Sequence, residues 1–443
     1  MTKTNTIPNS LPTQDQLSQT VMDLIIKFIE PCENDEFAIE LWNGQRWDPT
    51  PEKTRATLII RDPGAIRTLL FSGGTLALAE LYMGGRVDIV GEIEAMLPLV
   101  DYLITLKPKW SDVLPVAVKL LKFSDNSNHQ NGQISHEPAV VSGDPKSRQR
   151  VGDAIKYHYD QPSEFWQLWL DPYMQYTCAY FQDEDDDLAT AQLQKMDYIC
   201  RKLRLQPGDR FLDLGCGWGG LAVYAAKHYQ VQSVGITISK YQAEYAQNWI
   251  KREGLDDICR VELGDFRDAL NFEKFDKVAG VGILEHLTSH LINEYFETAW
   301  TCLNPGGIFL NHATGSVARQ PTRKGKSFMH RYIFPNTELI PINDVLAVAD
   351  RTGFEIRDLE NLREHYRLTL IRWLKNFEAN SSQVLEFMDK SAYRAYQLYF
   401  VGCIYDFNIG RNNLYQSLYV KPKNNKSGMP LSRAYLYKGM DKA

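Results

Sequence analysis

Residues 212–220, LDLGCGWGG, constrain this chain more than any other stretch, because an apolar run breaks there into glycines at alternate positions and an amphipathic pattern follows at once. Gly215, Gly217 and Gly219 permit a tight turn whose backbone can approach a ligand closely, at the carboxyl end of a strand where doubly wound sheets bind cofactors. The glycines alone also suit simple packing. A dinucleotide fold would place an acidic residue at the end of the next strand; here GITIS (235–239) offers Thr237 and Ser239, with Gln242 one turn on, which disfavours NAD.

Around this turn, strand and helix patterns alternate: RFLDLG, GGLAVYAAKHY, VQSVGITI, KYQAEYAQNWIKREG, then CRVELGD and FDKVAGVG, the helix INEYFETAWTCL and the strand GIFLNHAT. This rhythm predicts a mostly parallel sheet covered on both faces. At 443 residues the chain can bury two cores. Residues 124–150, rich in Ser, Asn, Gln, Gly and His, read as a linker. Before it, FAIELWNGQRW and TRATLIIRDP alternate like strands, and AIRTLLFSG and TLALAELYMGG have helical spacing. The division expected is therefore a small α+β domain over 1–123, a linker over 124–150 and a catalytic α/β domain over 151–443.

A formal charge of -6 argues against a nucleic-acid partner. Seven cysteines without CxxC pairs or zinc spacing predict reduced thiols, no metal and a cytoplasmic setting. The polar N-terminus carries no secretory signal, and no window reaches the roughly 20 apolar residues a membrane span needs. Any membrane association is then peripheral. Arg319, Arg323, Lys324, Lys326 and Arg331 surround Phe328 and Met329, a pattern that suits either an anionic surface or a solvated loop. The lysine-rich tail from Lys421 onward reads as solvated.

The motifs YHYD (157–160), DPYMQYTCAYF (171–181), LDLGCGWGGLA, GITIS with Gln242, GDFRD (264–268), LEH (284–286), NHATGS (311–316) and RYIFPN (331–336) together resemble the cyclopropane fatty acyl phospholipid synthases, relatives of the mycolic acid cyclopropane synthases. GGTLALAELYMGG resembles the lipid-proximal domain of the longer bacterial members. The resemblance implies a class I methyltransferase fold, a Rossmann-like doubly wound sheet, with S-adenosyl-L-methionine as cofactor and bicarbonate as bound base. It implies transfer of a methylene group to the double bond of an unsaturated phospholipid acyl chain, at the inner face of the membrane, by a chain that is open to homodimer formation. The cofactor would meet Tyr176, Thr177, Gly215, Cys216, Gly217, Thr237, Ile238, Gln242, Asp265 and Phe266. Bicarbonate would be held by Cys178, Glu285, His312, Thr314 (through its backbone) and Tyr366, with Cys403 also near the active site. Leu284 departs from the phenylalanine many members carry before the Glu-His pair. The insert 319–328 resembles a branch that leaves a methyl or methylene branch instead of a ring, and related plant enzymes methylate amines.

The residues themselves support part of this. An alkene is a poor nucleophile, so its methylation needs a strong electrophile, a water-excluding pocket, stabilisation of a carbocation and a placed base. Glu285 and His312 each follow an apolar strand, so both arrive at the cofactor edge. A histidine there can hold a proton for an anion, while a glutamate repels one unless bicarbonate offers its hydroxyl. His312 can equally be a core histidine. Cys178 has no basic neighbour in sequence to lower its pKa, so a thiolate is not expected; a small buried hydrophobe is its other reading, and packing serves equally for Cys403. Tyr366 can turn its hydroxyl to the anion or its ring to the cation, or be a half-buried amphipathic side chain. Phe266 can stack the adenine and Asp265 accept from its amino group, unless the two form an ordinary turn. A lipid-binding scaffold with a degenerate methyltransferase core is the non-catalytic alternative.

Overall fold

The computed structural model describes residues 14–437 other than 73, 107–109, 123–133, 145 and 318–326. Two compact units emerge. The first gathers the described residues of Met1–Glu137 and Lys326–Phe328 with Met388–Gly402; the second holds the rest.

In the first unit, the alternating segments form β1 (Phe37–Glu40), β2 (Arg46–Trp47) and β3 (Ala56–Ile60), joined by β4 (Val87–Gly91) in the order β2-β1-β3-β4. β1 and β3 are parallel and the other pairs antiparallel. The predicted helices form as Pro63–Ser72 and Gly74–Met83, and with Gln14–Ile29 they bury Leu17, Val21, Phe37, Ile39, Ile60 and Leu81. That is the packed layer an α+β domain requires.

The second unit carries β5 (Arg210–Leu214), β6 (Gln232–Thr237), β7 (Cys259–Leu263), β8 (Phe275–Val281), β9 (Leu303–Ser316), β10 (Glu355–Asn361) and β11 (Asn412–Val420) in one sheet, ordered β10-β11-β9-β8-β5-β6-β7. β5 to β9 are parallel; β11 runs antiparallel to both its neighbours. The switch between β5's two neighbours opens the crevice where such sheets take ligands.

Side chains alternate across a strand, so each strand feeds two cores. Leu212, Leu214, Val278, Phe309 and Tyr419 pack on one face with helices Ile292–Cys302 and Ile342–Thr352. Phe211, Ala279, Leu310, Leu418 and Val420 pack on the other with Met196, Ile199 and Leu203 of helix Leu188–Leu203. Asp187 caps that helix by accepting from Thr190 N at 2.7 Å. Of the segment read as a linker, the part from 134 on is described, and it is tied down: Ala139 donates to Arg331 O at 2.8 Å and helix Arg148–Tyr159 begins after Ser147. The segment's residues from Pro138 on cluster with the second unit. All seven cysteines are free thiols. No described helix is long and apolar enough to cross a membrane. Arg319, Arg323, Lys324 and Lys326 lie outside the described residues.

Candidate active site

The glycine turn has the conformation its composition anticipates: φ is +71° at Gly215, +55° at Gly217 and +84° at Gly219, values that side chains with a Cβ rarely adopt. Cys216 N donates to Ile236 O at 2.9 Å, which fixes the turn against β6. Space above Gly217 is open, with nothing within 4 Å of an added Cβ. The turn floors a cavity at the carboxyl ends of β5, β6 and β8, and all ten residues expected at the cofactor, from Tyr176 to Phe266, line it.

Thr237 donates to Gln242 Oε1 at 2.7 Å, giving a neutral polar wall where a dinucleotide fold would carry an acid. Phe266 is buried against the edge of Tyr295, 6.0 Å between centroids. Asp265 is less free than its sequence position suggests. Its Oδ1 accepts from Arg267 N and Nε (3.0 and 2.6 Å) and its Oδ2 from Arg267 Nη2 at 2.8 Å, so any further donor joins an existing ion pair. Tyr176 is held by aromatic neighbours, Trp166 at 4.9 Å and Trp373 at 5.0 Å, and shares a hydrogen bond with His158 Nε2 at 3.0 Å.

Several functional-looking groups were not visible in the sequence. Asp213 lies inside the cavity wall, 2 % exposed, with Oδ1 buried and unpartnered, and burial pushes its carboxyl up to about 7. Lys195 is fully sequestered on helix Leu188–Leu203; its ammonium donates to Gln175 Oε1 (2.5 Å) and Thr177 Oγ1 (2.8 Å), and burial brings it down to about 8. Gln192, one turn earlier, donates to Thr177 O at 2.9 Å. The segment expected over the cofactor is thus pinned from behind by a charged helix face. His286, which also lines the cavity, meets Tyr159 OH at 2.9 Å and is held down to about 4 by burial alone.

Glu285 and His312 arrive together beside this cavity. Gly282 N donates to His312 O at 2.8 Å, joining the end of β8 to β9, and Glu285 Oε1 accepts from Thr314 N at 2.8 Å, two residues beyond His312. Thr314's N–H therefore serves Glu285, where the sequence reading gave it to the anion. Part of the Glu285 residue reaches the surface, but its Oε2 is buried without a partner, and desolvation raises its pKa. His312 is wholly buried; Gln416 Nε2 lies 3.0 Å from its Nδ1, and its Nε2 has no partner. Burial, with Lys195 and Lys202 nearby, drives its pKa well below the usual value, so it is a neutral imidazole. A neutral imidazole still carries one N–H, which is the proton the sequence reading asks it to hold for an anion.

Cys178 is fully buried, with its thiol directed at the carbonyls of Ala179 (3.2 Å) and Leu362 (3.9 Å), and burial raises its pKa, so no thiolate forms. Tyr366 sits on helix Arg363–Ala379, 4.8 Å from Phe407 and 6.0 Å from Trp373 between centroids. Cys403 lies one turn before Phe407, its thiol likewise raised by burial.

Open space over Gly217, an orphaned Asp213 oxygen and a neutral polar pair at Thr237 and Gln242 fit a cationic adenosyl ligand better than a dinucleotide. Known proteins agree. Residues 146–417 match the mycolic acid cyclopropane synthetase family. A probable fatty acid methyltransferase from Pseudomonas putida is 34 % identical over 406 residues, covering 90 % of this chain and 96 % of its own. The cyclopropane-fatty-acyl-phospholipid synthase of Escherichia coli is 36 % identical over 280 residues, 63 % of this chain and 71 % of that one. The crystal structure of mycolic acid cyclopropane synthase CmaA1 complexed with SAH and CTAB superposes with a TM-score of 0.57 at 31 % identity, covering 60 % of this chain and 97 % of that one. A seven-stranded class I sheet whose glycine turn, cofactor wall and Glu-His pair all fall within that match leaves one assignment: the chain belongs to the cyclopropane synthase family and is an S-adenosylmethionine-dependent methyltransferase.

Proposed function

We propose that the chain methylates the double bond of an unsaturated phospholipid acyl chain and closes a cyclopropane ring, with bicarbonate held beside Glu285 and His312 as the base. S-adenosylmethionine, when bound, supplies a methyl group made electrophilic by its sulfonium. The glycine turn and Asp213 would face its polar end, Thr237 and Gln242 its ribose and Phe266 its adenine, with Tyr176 and Thr177 on the remaining wall of the same cavity. Attack of the alkene's electron pair on that methyl carbon would release the carbon–sulfur bonding pair to sulfur. The aromatic face of Tyr366 suits the cation left on the acyl chain. Loss of a proton from the new methyl group frees the pair that closes the ring.

The observation that carries this reading is the pair of orphaned buried atoms, Glu285 Oε2 and His312 Nε2, on residues joined through Thr314 and Gly282. Buried polar atoms are usually completed by protein, by ordered water or by a bound ion. A neutral imidazole N–H donates to an oxyanion, and a bicarbonate hydroxyl donates to a carboxylate, so one planar anion satisfies both. Cys178 and Tyr366 belong around the same ion, the first by its backbone. A phospholipid acceptor would place the chain peripherally at the inner membrane face.

Glu285→Gln tests it: turnover is expected to vanish while S-adenosylmethionine still binds by calorimetry. Near-normal activity in that variant sinks the anion site. A second reading, a methyl or methylene branch, draws on the Pseudomonas putida relative, which matches 90 % of the chain and is named a fatty acid methyltransferase. Both products descend from one cation and differ in the proton lost. Mass spectrometry of fatty acids from cells expressing the chain separates them: a gain of one CH2 that resists hydrogenation is a ring, and one that takes up hydrogen is an unsaturated branch.

A further inference from the structure

His312 is one member of a row. Glu360 on β10 is the direct partner of Gln416 on β11, and Gln416 is the direct partner of His312 on β9. By the alternation along their strands, Gln416 and His312 share the sheet face of Leu310 and Leu418, on which helix Leu188–Leu203 packs. That helix brings two buried ammoniums to this face. Lys202 is tied to Glu360 at 2.5 Å and Asp358 at 3.7 Å, and Lys195 to Gln175 and Thr177. Glu285 approaches from the far side, at Thr314.

Within this row Gln416 is 1 % exposed, its amide nitrogen 3.0 Å from His312 Nδ1 and its Oε1 buried without a partner. A neutral imidazole carries one proton, and the bond made by one ring nitrogen decides which nitrogen has it. An amide N–H given to Nδ1 makes Nδ1 the acceptor and leaves the proton on Nε2, the atom without a partner. Turned the other way, the amide oxygen would draw the proton to Nδ1 and leave Nε2 a bare lone pair, which repels an anion. The same turn would swing the NH2 group away from Nδ1, on a face already bearing two ammoniums.

We propose that Gln416 is a positioning residue for the reaction: its carboxamide donates to Nδ1 and holds His312 as the tautomer with the proton on Nε2, so that a neutral histidine presents an N–H to the oxyanion. This rests on the anion-site reading above and adds the residue that sets its donor. Gln416 itself touches neither cofactor nor acyl chain in this scheme. A neutral amide does this where a carboxylate could not, since a carboxylate only accepts and would pull the proton to Nδ1.

The test is nitrogen NMR of the full chain labelled with 15N-histidine, the His312 signals being identified by their absence in His312→Gln. In the wild-type chain His312 is expected as a neutral ring protonated at Nε2; a ring protonated at Nδ1 overturns the proposal without any variant. In Gln416→Met, close in volume but unable to donate, the Nε2–H preference is expected to weaken. Turnover should fall roughly tenfold to a hundredfold, the scale of leaving a buried polar partner unmade, with S-adenosylmethionine affinity kept. Full turnover in Gln416→Met overturns the positioning role. Glu285→Gln run alongside separates the two claims: if it too keeps full turnover, the anion-site reading has failed, while the tautomer measured in the wild-type chain still reports on Gln416.

Discussion

Burial, more than any single partner, sets the chemistry of the individual side chains. Cys178 looks like a nucleophile only until its surroundings are counted: it is 0 % exposed, faces two carbonyls, and has its thiol form favoured by desolvation. Cys178→Ala should therefore retain most of the activity in a fatty-acid methylation assay. Loss as complete as in Glu285→Gln would restore a role for the sulfur. Burial also acts on His286, His312 and His365, all lowered by desolvation. Folded His286 takes its proton only near pH 4, whereas the unfolded chain takes it near 6.5. Between those values the unfolded state binds more protons, so stability is full above about 6.5 and drains as pH falls toward 4, by at most about 3 kcal/mol from this residue. In His286→Gln, urea unfolding at pH 7, 6 and 5 should show a shallower decline than in the wild type; parallel declines would refute the assignment. At this scale the sequence showed what motifs mark. It did not show Asp213, Lys195 or Gln192, because a lysine and a glutamine on an amphipathic helix read as its solvated face, and only the fold reveals that this face turns inward.

Elements position the site through close approach of backbones. Helix Gly220–Tyr229 begins where its first residue lies against the Tyr173 carbonyl and the Gln175 amide, both of which a Cβ at Gly220 would strike, whereas a Cβ at Gly217 meets nothing. Gly217 instead needs its positive φ. Gly220→Ala should thus displace Gln175 from Lys195 and weaken cofactor binding more than Gly217→Ala, although both substitutions lie in the same turn. Calorimetric titration of the two variants decides it, and equal losses would mean that conformation alone, not the contact with Gln175, governs the turn. In the second unit the strands that were legible are those with apolar runs, β5 to β9. β10 (EIRDLEN) and β11 (NNLYQSLYV) escaped, the first because an edge strand stays polar and the second because its inward face carries Gln416 where an alternating pattern needs an apolar residue. The least readable strands hold two of the three members of the row ending at His312.

For the molecule as a whole, the order of residues along the chain is a poor guide to which core they complete. Residues 388–402 come late in the sequence, yet they belong to the first unit: Arg394 donates to Tyr82 O at 2.7 Å, lies over the Tyr82 ring at 5.0 Å and reaches Asp88 at 3.4 Å, and Gln397 accepts from Tyr82 OH at 3.2 Å. Ala395, Tyr396, Tyr399 and Phe400 of the same stretch are buried. A chain beginning at residue 134 keeps every residue that lines the cofactor cavity but loses the β-sheet unit with which this stretch clusters. Each large apolar side chain stripped of its cover forfeits about 1.5–3 kcal/mol. The shortened chain should accordingly bind S-adenosylmethionine with nearly unchanged affinity while melting several degrees lower and aggregating on warming. Arg394→Ala in the full chain should move melting in the same direction by less, since it removes one anchor and leaves the apolar cover. If the shortened chain melted as the whole one does, residues 388–402 would have to be stabilised from within the second unit, and the first unit would be an appendage with no hold on the fold that carries the chemistry.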